Sequence, residues 1–130
     1  MRNIKAFVSI VALANLVITV LHLYLAGELN PTLTLASSVR IGAIAGALTV
    51  AGVGLVWTRR KRIGAFALIV MFAIGLVIGS LEHFVVAGPN NVFDAGNSGW
   101  AILFDVSVAL LVALEIMGLW SAGRILVARS

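Results

Sequence analysis

The stretch WTRRKRIGAFALIVMFAIGLVIGSLEHFVVAGPNN, residues 57–91, decides how this chain is built. Four consecutive basic residues, Arg59 to Arg62, lead into an apolar run from Ile63 to Ala87 whose polar side chains, Ser80, Glu82 and His83, all come late. A helix needs about 20 apolar residues to cross a hydrocarbon core. The run is long enough, and it lacks the alternation of the roughly ten-residue strands of a membrane barrel.

Working outward, three more stretches of the same kind appear, so spans are expected at residues 4–26, 35–57, 63–87 and 99–122. The chain is 130 residues long, 62% hydrophobic and 11% charged, with a mean hydropathy of +1.14. Soluble chains carry about 25% charged residues, and disorder requires low hydrophobicity. Both classes are excluded. With no cysteine in the chain, a disulfide scaffold, Cys-ligated zinc, iron–sulfur clusters and thiol redox chemistry are excluded as well. In lipid every backbone polar group must be satisfied internally, which demands helices. The expected fold is therefore all-α: a single integral-membrane domain, an up-down four-helix bundle covering residues 1–130.

The basic residues set its orientation. Arg2 and Lys5 precede the first span, Arg59 to Arg62 separate the second and third, and Arg124 and Arg129 follow the fourth. All of them fall on one side, which the positive-inside rule makes cytoplasmic, with both termini. Arg40 alone falls on the other. The net charge of +4 is thus a topology signal, no nucleic-acid partner is expected, and the bias argues against insertion both ways up. The expected location is the cytoplasmic membrane of a prokaryote, as a multi-pass protein. The start Met-Arg-Asn-Ile-Lys and the triplet Ala12-Leu13-Ala14 mimic a secretory signal, but the apolar run outlasts the roughly 7 to 15 residues of a signal core. The segment is expected to be a retained span.

Trp57 and Trp120 fall at inner span ends, Tyr24 and Trp100 at outer ends, where amphipathic rings anchor at headgroup level. The outer connections, Gly27 to Leu33 with Asn30-Pro31 and Gly88 to Ser98, carry turn-forming Gly, Pro and Asn. Small residues crowd span two. Gly42 with Gly46, and Gly75 with Gly79, form GxxxG pairs of the kind that bring membrane helices close, within the bundle or in a homo-oligomer or membrane complex.

Ionisable groups within a membrane are costly and are functional candidates by default. His22, Arg40, Glu82, His83 and Asp105 fall within about one to two helical turns of a common outer depth. Glu28 and Asp94 lie above them as a rim. Asn15, Thr19 and His22 follow an i, i+4, i+7 stripe. With Glu115, in the inner half of span four, Asn15 and Thr19 extend polarity inward as a candidate proton or ion path.

A structural reading competes with three functional ones. In the structural reading Arg40 neutralises Glu82 or Asp105, and the layer fixes helix register. The second reading is a transition-metal site with ligands His22 and His83 and with Glu82 or Asp105, suited to zinc, copper(II) or non-haem iron. A variant is b-type haem between His22 and His83 on diagonal helices, with no attachment motif for c-type haem. The remaining reading is the proton path, which a small chain would serve as an oligomer. No GxSxG elbow and no GxxxxGK[ST] loop are present, so a binding or accessory role in a membrane complex is expected rather than catalysis.

Overall fold

A computed structural model describes residues 2–30 and 34–128 of the chain. It contains four helices, α1 (Arg2–Leu29), α2 (Leu35–Val56), α3 (Lys61–Phe84) and α4 (Gly99–Val127), with no strand among the described residues. Each is long and apolar enough to cross a membrane. Pro31 and Arg129, part of the loop and orientation expectations, lie outside the described residues.

The helix ends follow local chemistry. Thr34 caps α2, its hydroxyl accepting from the Ser37 N–H at 3.2 Å; Ser98 caps α4 the same way, accepting from the Ala101 N–H at 3.1 Å. Such caps satisfy donors that a helix start leaves orphaned. α1 continues through Glu28, which was expected in a loop and is instead an exposed helical residue. α3 stops at Phe84, three residues short of the expected span end, because the chain turns back on itself: the Val85 and Val86 N–H groups both bond the Leu81 carbonyl, and the Val92 N–H bonds the His83 carbonyl at 3.0 Å.

The helices pack in a ring, α1 on α2, α2 on α3, α3 on α4 and α4 back on α1. Two ends can be told apart by their contacts. At the basic end Phe7 meets Trp120 edge to face, Lys5 lies over Trp57, Arg124 lies over Trp120, and the Trp57 indole N–H donates to Ser9 Oγ at 3.0 Å. At the other end Tyr24 meets Trp100, and His22 meets His83 and Phe104. The larger core cluster, including Val8, Val56, Leu68, Phe72 and Ile125, lies towards the basic end, and a smaller one of Leu25, Ala26, Phe104 and Val108 underlies the histidines.

Glycine sets the close approaches, though not chiefly through the expected pairs. A Cβ at Gly64 would sit 2.6 Å from both the Gly52 carbonyl oxygen and the Val56 nitrogen, so α2 and α3 meet backbone to backbone. Gly118 makes room for the Phe72 ring and Gly75 for the Glu115 carboxyl. Gly42 and Gly46 face Leu23 and Leu16 of α1. These glycines are used inside the chain. What α2 leaves outward is a different stripe, the exposed Ala36, Ala43, Ala47, Ala51 and Gly54.

Candidate functional site

The site is a pair of buried imidazoles, each 7% exposed. His22, in the last third of α1, and His83, at the end of α3, belong to helices on opposite corners of the ring. Their ring centroids lie 4.8 Å apart with planes at 77°. Phe104 of α4 touches both, with centroids 4.9 Å from His22 and 5.4 Å from His83. Leu25, Ala26 and Val108 pack with Phe104, and Val92 and Ala95 of the following loop close over the cluster.

Hydrogen bonding fixes which ring nitrogen is free. His83 Nδ1 lies 2.8 Å from the main-chain oxygen of Asn90. A carbonyl only accepts, so His83 donates from Nδ1. His22 Nδ1 lies 2.9 Å from Ser107 Oγ. The Ser107 hydroxyl spends its single proton on the Phe104 carbonyl at 2.6 Å, so His22 too donates from Nδ1. In the neutral form both rings then carry their lone pair on Nε2. Metal-bound histidines are oriented in this way, one nitrogen donating to a carbonyl or other acceptor and the other left for the metal.

The loop after α3 supplies the second anchor. Gly88 adopts φ +146° and Gly96 φ +85°, conformations that L side chains rarely adopt. Asn91, nearly buried, donates from Nδ2 to the Val86 carbonyl and accepts at Oδ1 from the Phe93 N–H. Asp94 accepts from the Gly88 N–H at 3.0 Å. The expected rim residue Asp94 is therefore a latch that holds the loop which presents Asn90 to His83.

Two oxygens near this end are buried and lack a donor, Asn90 Oδ1 and Asp105 Oδ1. Buried polar groups without a partner cost about 1 to 3 kcal/mol each. A layer holding two imidazole lone pairs and two unpartnered acceptors is short of positive charge.

The remaining expected members stand apart from the pair. Glu82 and Arg40 are exposed, and Arg40 makes no ion pair among the described residues. The expected neutralisation of Glu82 or Asp105 by Arg40 is absent there: Arg40 is exposed on α2, which packs on α1 and α3. Among the described residues no three His, Asp or Glu side chains gather as a metal cage, so the four-ligand set of His22, His83, Glu82 and Asp105 is reduced to the histidine pair with Asp105 half-buried beside Phe104. Thr19 is half-buried, and Asn15 and Glu115 are buried deeper in the bundle. Ser107, Phe104 and Asn90 were not singled out from the sequence. An aromatic or a serine in an apolar helix carries no signal of its own, and a main-chain carbonyl carries none at all.

No protein-family model matches the chain, and no curated protein and no solved structure matches it.

Proposed function

We propose that this chain is a non-enzymatic, up-and-down four-span protein of a prokaryotic cytoplasmic membrane, with termini inside, that binds a divalent transition-metal ion through His22 and His83. The observation that carries the reading is the pair of touching imidazoles whose Nδ1 protons are both committed to fixed acceptors. Metal–nitrogen bonds of about 2 Å put two imidazole centroids roughly 5 Å apart when the ligands are neighbours around a tetrahedral ion, and roughly 6 Å apart when they lie on opposite sides of one iron. The 4.8 Å separation favours neighbouring ligands over axial ligation of haem. Two imidazoles with nearby oxygen acceptors suit zinc, copper(II) or iron(II), and leave positions open to water or a small ligand.

The up-and-down topology is supported by the contacts of the two ends, and the orientation by the placement of the basic residues. A role as an accessory subunit is supported by the outward stripe Ala36, Ala43, Ala47, Ala51 and Gly54, since small residues are the general means by which membrane helices associate.

Titration of detergent-purified protein with copper(II), followed by electron paramagnetic resonance, tests the site. One ion per chain with nitrogen hyperfine structure is expected, lost in His22→Ala combined with His83→Ala. Binding unchanged in that double variant overturns the reading. A Soret band in the purified protein would replace the metal ion by haem.

A further inference from the structure

Below the histidine layer the bundle interior holds one more ionisable side chain, and nothing in the metal site uses it. Glu115 of α4 is 7% exposed, and its carboxyl packs on the backbone of α3 in the notch that Gly75 leaves by having no Cβ. It makes no hydrogen bond and no ion pair among the described residues. Asn15 of α1 is equally buried, and its Nδ2 has no acceptor. The contacts Phe7 with Trp120 and His22 with Ser107 set the register of α1 on α4. At 1.5 Å per residue they bring Asn15 and Glu115 within about one helical turn of the same depth.

The neighbourhood is otherwise free of charge. α1 has no charged or titratable residue between Lys5 and His22, α2 none between Arg40 and Arg59, and α3 none between Arg62 and Glu82. On α4 the nearest are Asp105 and Arg124, ten and nine residues away, about 15 and 13 Å along the helix. A carboxylate there would have no counter-ion, and a charge without one is costly within a membrane. The charged form is not prohibited, because Asn15 holds an N–H in reserve, and a donor to a carboxylate stabilises the ionised state.

We propose that Glu115 is a proton-binding site in the middle of the bundle, which releases and regains its proton with Asn15 as the group that steadies the carboxylate. In the release step the carboxyl O–H bond breaks, the proton passes to a water molecule to give hydronium, and the electron pair stays on the carboxylate. Recapture reverses it. Asn15 is a positioning residue that touches no transferred proton. The ligand is the proton itself, so the chain would carry a charge-handling element independent of any metal at the histidines.

Infrared spectroscopy of the full chain in liposomes tests this. The wild type is expected to show a protonated-carboxyl C=O band near neutral pH that shifts in D2O, disappears as the pH is raised, and is missing in Glu115→Gln. In Asn15→Leu the band is expected to persist to higher pH, with a proton affinity roughly tenfold greater, since the ionised form has lost its donor. A band that is absent near neutral pH, or that responds to neither pH nor D2O, overturns the proposal, and so does an Asn15→Leu midpoint equal to that of the wild type. Retention of copper(II) by Glu115→Gln is expected in every case and keeps this test separate from that of the metal site.

Discussion

The two ends of the bundle solve the same problem differently. At the basic end polar groups finish in local, satisfied contacts: Ser9 Oγ bonds the Lys5 carbonyl and receives the Trp57 indole, and Lys5 and Arg124 lie over indole rings. The helices there close on a large apolar cluster and on the backbone contact of Gly52 with Gly64. At the histidine end the apolar cluster is small, a loop completes it, and two buried oxygens are left without donors. Order at one end comes from packing. At the other end it comes from hydrogen bonds that hold two imidazoles in one tautomer, an arrangement that costs stability unless something positive joins it.

The sharpest way to break the comparison is at the basic half. Gly64→Ala places a methyl group against two main-chain atoms that cannot rotate away, and is expected to cost about 3 kcal/mol, read as a loss of thermal stability in detergent. Gly54→Ala, where a Cβ meets nothing within 4 Å, is expected to leave the melting temperature unchanged. Equal effects of the two would show that the close approach of α2 and α3 holds nothing together.

At the histidine end the expected order of effects is reversed, large on binding and small on folding. His83→Ala should abolish specific copper(II) binding while lowering stability by only about 1 kcal/mol, the scale of a single hydrogen bond. Ser107→Ala keeps both imidazoles but frees the His22 ring, and a roughly 10- to 100-fold loss of metal affinity in the same titration is expected. Binding requires neutral imidazole, so acidification adds competing protons and should release the metal, with retention recovered as the pH rises. A small effect is expected at Trp57→Phe, which removes the bond to Ser9: about 0.5 kcal/mol of stability and no change in binding.

The number and placement of the helices were legible because length and hydropathy are all that a bilayer demands of a span. The histidines were legible because a titratable group is conspicuous among apolar residues. Which way each side chain faces was not, since lipid and core are equally apolar and a hydrophobic pattern cannot distinguish them. Glu82 illustrates this: it is adjacent to His83 in sequence, yet His83 is buried and Glu82 is exposed. The glycines illustrate it again. Gly75 was read from a GxxxG motif, but its use is to admit the Glu115 side chain, and Gly64, which makes the closest backbone contact, belongs to no GxxxG pair. Asn15 and Glu115 were visible as polar residues at plausible depths, while the missing acceptor of Asn15 appears only once its neighbours are placed.

The unequal anchoring of the two imidazoles gives them unequal histories under mutation. The partner of His22 is a hydroxyl that one codon change at Ser107 erases. The partner of His83 is the main-chain oxygen of Asn90, which persists whatever side chain that position encodes. Sensitivity is displaced instead to Gly88, whose φ of +146° penalises any side chain and whose N–H is tied to Asp94. Random mutagenesis with selection for metal retention should therefore accept varied residues at position 90 while returning glycine at position 88.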